Sequence, residues 1–259
     1  MIRNKKISPK PQKKAVKGVF ITVFCSLGLF LLLFCQSCSP DKCLNSTGNI
    51  ISQNKQIPYF KRMAIYDNIS LILENGANLR VEAGKNLIEN ISFEVSKDST
   101  LTLKNNNVCE WLRTYAPVKV YVGIDRVKNI KSESFGDIST EKLVTTDVLQ
   151  IDLLRVSGNI DLELSCLYFS LFTNLGAKIN LKGQVANLSI YTLGFGKINA
   201  TEMTAQNASI RHGGSNNLFV NATQLLKADL ESNGNLYYKQ EPITKNIQYF
   251  DEGKAFLKP

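Results

Sequence analysis

A chain of 259 residues holds one large all-β domain or two small ones. Its formal net charge of +9 is not a nucleic-acid footprint, because seven basic residues (Arg3, Lys5, Lys6, Lys10, Lys13, Lys14 and Lys17) precede the first acidic one. From Cys38 onward 24 basic residues stand against 22 acidic ones, scattered rather than striped, which excludes a nucleic-acid partner.

Residues 1–17 are a basic arm, and Gly18 to Phe34 is an uncharged apolar run of 17 residues. That run is longer than the usual signal-peptide core and slightly short of a membrane span. Cys35, Gln36, Ser37 and Cys38 come next, then Ser39, Pro40 and Asp41. A cysteine behind a small residue and ahead of a polar stretch resembles a bacterial lipoprotein signal, with Cys35 standing where leucine is usual. The resemblance implies a signal peptide over 1–37, acylation of Cys38 and attachment to a membrane through that lipid. An uncleaved single-span anchor in the inner membrane is the other reading of the same hydropathy. Either way the body lies outside the cytoplasm, in the cell envelope, facing the periplasm or carried on the outer membrane. Residues 38–56 are polar and rich in Ser, Asn and Lys, the composition of a flexible tether.

From Ile57 the pattern alternates. Ile65 to Leu73 and Leu79 to Ala83 read as strands joined around Asn75 and Gly76, and Gly84 to Asn90 has room for one helical turn. Further strands are expected at Ser92–Val95, Leu101–Lys104 and Val118–Val122, closing the first coil of the repeat that begins near Ser134. Between them Asp98-Ser99-Thr100 resembles an O-glycan acceptor of some bacterial envelopes. The loop 105–117 carries Cys109, the single tryptophan Trp111, Arg113 and Tyr115. Its aromatic residues are candidates for contact with a sugar or a partner protein, and the alternative is that Trp111 packs on the coil beneath.

Between Ser134 and Tyr238 one pattern returns about every twenty residues: a glycine, small polar residues, then alternating apolar ones. The anchors Ile138, Ile160, Ile179, Ile198, Leu218 and Leu236 are spaced 22, 19, 19, 20 and 18. A second series, Ile130, Ile151, Leu171, Ile190, Ile210 and Leu230, is spaced 21, 20, 19, 20 and 20. Two phase-locked series at one period mean stacked repeats. Short strands with glycine turns leave no room for crossover helices, so the fold class is all-β, a right-handed parallel β-helix with coils of about twenty residues. Ordering one such coil costs roughly 20–40 kcal/mol of backbone entropy, while burying its five or six apolar side chains returns about 8–18 kcal/mol; single coils are therefore unstable and the stack forms as a unit. In this register Asp161, Asn180 and Asn199 share an outward column, Phe219 lies over Tyr237, and Glu163–Lys182 and Arg211–Glu231 are candidate ion pairs. The last residues, 243–259, form a tail or a cap.

The segments PVKVYVGIDRVKNIKSESFGDIST, LGFGKINATEMTA and NGNLYYKQEP, with NISLILENGANLRVEAGKNLIENISFEV before them, resemble the head GIN domain family of putative auto-transporter adhesins over roughly residues 57–242. The resemblance implies a β-helical, signal-bearing or lipid-anchored envelope protein of Bacteroidetes-type bacteria, and it carries no catalytic residue across. In two places the sequence departs from the family's glycines: Asp67 and Asn68 stand before Ile69, and Gln240 stands between Tyr238 and Pro242.

The chemical inventory is spare. The single histidine, His212, sits beside Gly213 and Gly214 and is expected at a solvent-facing coil corner; no metal site, cofactor site, phosphate loop or nucleophile elbow is present in the sequence. Cys109 and Cys166 are expected to be free thiols, with Cys166 buried. The expectation is a non-catalytic, lipid-anchored envelope protein with an adhesin-like, binding or scaffold role. Its partners are a membrane and a protein or glycan ligand, with Trp111, Tyr115, Phe219 and Tyr237 as surface contacts. Two alternatives remain: a polysaccharide lyase or hydrolase using Asp229, Glu231 and Arg211, or a single-span sensor or scaffold.

Overall fold

Alternation of apolar and polar residues becomes alternation of buried and exposed ones. A computed structural model describes residues 46–107, 117–155, 158–174 and 176–258. The expected signal, Cys38, the start of the tether, Cys109, Trp111 and Tyr115 lie outside the described residues. The rest is a β-solenoid of about six turns.

The regular part is built from four long strands, β11 (Ile160–Thr173), β12 (Ile179–Thr192), β13 (Ile198–His212) and β14 (Leu218–Leu230), paired in parallel. Below them lie β9 (Ile138–Thr140) and β10 (Val144–Leu153); above lie β15 (Leu236–Tyr238), β16 (Thr244–Tyr249) and β17 (Ala255–Leu257). The tail thus continues the stack in parallel. Strands of 13 to 15 residues replace the short ones expected. The chain turns its corners inside a strand, by placing two consecutive residues outward: Leu167 with Tyr168, Ala186 with Asn187, and Gln206 with Asn207. Each such pair flips the inward parity, as in β11 from 160, 162, 164 and 166 to 169, 171 and 173, and the neighbouring strand bends in the same register.

All six members of the first anchor series fall in one ladder, Ile138 on Ile160, Ile179, Ile198, Leu218 and Leu236, and each is buried. The second series holds through Ile210, whose next partner is Ala228 rather than Leu230. Irregularities between Asn199 and Thr204 and between Ala205 and Asn207 shift the register of β14, so Leu230 lies over His212 instead. An inward Ile or Leu contributes about 1.5–3 kcal/mol by leaving water, and each coil roofs the one beneath.

Glycines mark the remaining corner because successive corners almost touch. A Cβ on Gly158 would stand 2.2 Å from the Gly136 carbonyl oxygen, and one on Gly196 2.1 Å from that of Ala177. Close backbone approach, not a left-handed φ, is what demands glycine there. At the corner before Ile69 the opposite holds: Asp67 takes φ 61° and its carboxylate accepts from the Asn105 amide at 3.1 Å, so an aspartate fills the left-handed position of the missing glycine.

The N-terminal part reaches the same layers by another route. Strands β2 (Arg62–Asp67) and β3 (Ile69–Glu74) form one coil; β6 (Thr100–Asn105) and β7 (Val118–Gly123) lie on one side of it, β8 (Asn129–Ser134) and β9 on the other. Beyond β6 and β7 the direction reverses. Strand β4 (Leu79–Gly84) pairs antiparallel with β7 and with β1 (Ile50–Asn54), and β5 (Ile91–Val95) antiparallel with β6. A 3₁₀ turn at Ile88–Asn90, with Leu87 and Ile88 buried, makes the expected helical turn. The latter part of the expected tether is therefore strand β1, because Ile51 and its neighbours complete the ladder of β4. Asp98 belongs to the β5–β6 hairpin. It accepts from the Ser96 and Thr100 hydroxyls and from Arg62, which hold its carboxyl down at about 2.

Candidate functional site

Two outward columns on β10 to β14, with the strand segment between them, line an apolar hollow. One column is Gln150, Ser170, Ser189, Ser209 and Lys227. Serine is a short side chain, and the other column carries larger ones: Val148, Tyr168, Asn187, Asn207 and Leu225. Between them lie the buried Leu149, Phe169, Leu188 and Ala208. The result is a trough of about 570 Å³. At about 4.8 Å per coil, five coils give it a length of about 20 Å.

Side chains tie successive coils together across this face. Asn207 donates to the Asn187 carbonyl oxygen at 3.1 Å, an amide ladder of the kind expected instead for Asn180 and Asn199. In the expected column only Asn180 bonds its neighbour, donating to Asp161 at 2.6 Å; the Asn199 oxygen accepts from Thr201. Outside the hollow, on the far side of the serine column, Phe172 and Tyr191 meet at 5.2 Å and Arg211 lies 4.6 Å from the Tyr191 centroid. Tyr168 remains 56% exposed and Leu167 beside it 52%. A rigid, partly apolar strip with amide and hydroxyl groups along it is suited to holding an extended partner.

The acidic cluster assembles differently from a hydrolytic pair. Arg211 donates to Glu231 at 2.7 Å, as its spacing suggested, and this hydrogen bond raises the Arg211 pKa and ties up the carboxylate. Asp229 faces Arg211 in the ladder, with one oxygen buried and without a partner. Glu163 lies beside Lys182, yet Lys182 pairs with Glu202 on the next coil at 3.3 Å.

His212 corrects the sequence expectation. It is in phase with Ala208 and Ile210, so it points inward and is fully buried. The Gly214 amide donates to Nδ1 at 3.3 Å and Nε2 meets the Asn216 carbonyl at 2.9 Å, the arrangement of a neutral ring with its proton on Nε2. Burial pushes its pKa down. This histidine is part of the packed corner. Cys166 is buried as expected, and burial pushes its thiol up to about 11, which leaves it inert near neutrality.

Of the expected contact residues within the described part, Phe219 and Tyr237 stack at 4.8 Å and 14°, and Phe256 continues the stack on Tyr237 at 5.4 Å. Their ring faces are occupied by one another. Phe219, whose lower neighbour in the ladder is Asn199, borders a hollow. Among the described residues no helix is long and apolar enough to cross a membrane.

The solved structures that resemble this one share its fold. A putative adhesin from Bacteroides fragilis is 21% identical, with a TM-score of 0.69 over 81% of this chain and 97% of that one. A putative lipid binding protein from Parabacteroides distasonis is 20% identical, with a TM-score of 0.57 over 81% and 98%. A putative adhesin from Parabacteroides merdae is 17% identical, with a TM-score of 0.55 over 82% and 98%. No protein of curated function matches the sequence. The family model described as putative auto-transporter adhesin, head GIN domain, matches residues 59–242. With most of its length under that model and its coils stacked as in those neighbours, this chain belongs to the family of putative auto-transporter adhesins with a head GIN domain.

Proposed function

We propose that this protein is a non-catalytic binding protein of the cell envelope, held to a membrane through lipid on Cys38, whose trough takes an extended protein or glycan partner outside the cytoplasm. The observation that carries this reading is the trough itself: five stacked coils present one continuous strip with exposed Val148 and Tyr168, on a frame that burial makes rigid. The names of the family and of its structural neighbours, adhesins and a lipid binding protein, support a binding role. The lipoprotein-like signal supports the address. Turnover of polysaccharide finds little support, since Arg211 neutralises Glu231.

Replacing Val148 and Tyr168 together with serine leaves the inward columns intact. Cells carrying that variant at normal abundance are expected to lose surface binding to the extent of cells lacking the protein. Undiminished binding would overturn the trough as the contact face. The address is checked separately by intact mass: loss of residues 1–37 and acyl chains on Cys38 are expected, and an unprocessed N-terminus would leave the single-span anchor in its place.

A further inference from the structure

A second hollow lies on a different strand column from the trough. It opens where the aromatic stack stops: Phe219 on β14 is large, and the residue beneath it in the ladder, Asn199 on β13, is small. The step leaves about 280 Å³ lined by Lys197, Asn199, Thr201, Phe219, Lys239 and Lys258.

Three of the six residues that line this step are lysines. Lys197 Nζ stands 5.0 Å from the Phe219 centroid, and Lys258 Nζ stands 5.8 Å from it and 5.5 Å from that of Tyr237. Lys239 reaches the Thr201 carbonyl at 3.5 Å. The Asn199 side-chain oxygen is taken by the Thr201 amide and hydroxyl, at 3.2 and 2.8 Å, which engages the Thr201 hydroxyl proton. None of the three lysines has a carboxylate partner among the described residues. The acids nearest in sequence to Lys197 and Lys239 are engaged elsewhere, Glu202 by Lys182 and Glu241 by Lys245.

Two ammonium groups lie over one ring and a third lines the same hollow, with no carboxylate paired to them among the described residues. The ring quadrupole eases that arrangement, and an anion relieves it fully. We infer that this step is a binding site for the anionic substituent, carboxylate or sulfate, of an acidic polysaccharide. A glycan fits better than a lipid headgroup for two reasons. The hollow, at about 280 Å³, is too small to take acyl chains, and its lysines are set along the stack, since Lys239 and Lys258 follow ladder partners Tyr238 and Leu257 on adjacent coils. A charged polymer lying along that direction meets both ammonium groups in turn, with the ring edges of Tyr237 and Phe256 beside them.

The test uses the full chain in detergent solution, with dextran sulfate and polygalacturonate as probes, neutral dextran as reference, and phosphatidylcholine vesicles with and without phosphatidylglycerol. The variant K197Q/K239Q/K258Q is compared with K85Q/K97Q/K142Q, which removes the same charge from exposed positions elsewhere. The expected result is that the wild type and the control bind at least one polyanion alike, and that the first variant loses affinity about tenfold or more with an unchanged urea midpoint. Wild-type binding by the first variant would overturn the inference, and so would equal loss in both variants or absence of polyanion binding by the wild type. Lysine-dependent capture of the anionic vesicles without polyanion binding would transfer the site to lipid and overturn it as well.

Discussion

The coils from Ile138 to Tyr238 and the strands from Ile50 to Gly123 fill the same layers by different means. In the first region each coil lies directly on the one before it in sequence. In the second, the coil of β2 and β3 sits between β6–β7 and β8–β9, and the outermost strands run antiparallel. The difference teaches that layer stacking is specified by inward parity and by room at the corners, while chain order is free. It also teaches how a stack is brought to an end: reversed strands and a 3₁₀ turn with buried Leu87 and Ile88 cover the N-terminal side.

The largest effect that separates the two regions is expected at their apolar positions. Ile179→Ala removes a fully buried side chain from between two coils and is expected to cost about 2–5 kcal/mol. Ile50→Ala, at the exposed edge of β1, is expected to cost less than about 0.5 kcal/mol. Urea midpoints read both, and similar losses would erase the distinction between stacked coil and edge.

Corners give the next largest contrast. Gly158→Ala presses a methyl onto the Gly136 carbonyl and is expected to cost about 1–3 kcal/mol or more. Gly76→Ala meets nothing within 4 Å but must hold φ near +98°, which costs about 1 kcal/mol. A thermal melt in which Gly76→Ala is the more damaging would show that backbone conformation, not corner contact, limits the regular coils.

Titration sharpens the same division. His212 in the regular coils has a lowered folded pKa, so the unfolded chain takes up a proton near 6.5 that the folded one refuses. Its contribution is complete above that value and declines as pH falls through it, by at most about 1.4 kcal/mol per pH unit. Urea titrations at pH 7.5 and 5.5 are expected to show a smaller decline for His212→Gln than for the wild type. Asp98 in the N-terminal hairpin behaves locally and more weakly. Its folded pKa lies below the ordinary value of 3.8, so its support is present above that value and is lost as pH falls through about 2. Amide protection at Ser96 and Ser99 is expected to drop over that interval while the coils keep theirs, and a simultaneous loss in both regions would refute a local role.

Much of this was legible in the residues. The anchors Ile138 to Leu236 report the stack because an inward aliphatic is required once per coil at a fixed place. Leu230 misleads because β14 reaches its corner with fewer residues, so sequence distance stops measuring ladder distance. The order of the N-terminal layers is not readable from alternation, which says that β2 is a strand and nothing about which strands flank it. His212 was readable by parity from Ile210, though its glycine neighbours suggest solvent. The trough is written in Ser170, Ser189 and Ser209, but a small outward polar residue looks like any wetted surface until its tall neighbours are known.

The out-of-order first coil has a bearing on assembly. Each regular coil is completed by closing about twenty residues, a short loop with a small entropic cost. Strand β2 instead waits for Asn129 to meet Arg62 and for Thr100 to meet it from the other side. Residues that leave the ribosome early thus gain their final neighbours late, and the C-terminal coils have the topology of a nucleus onto which the beginning of the chain is afterwards fastened.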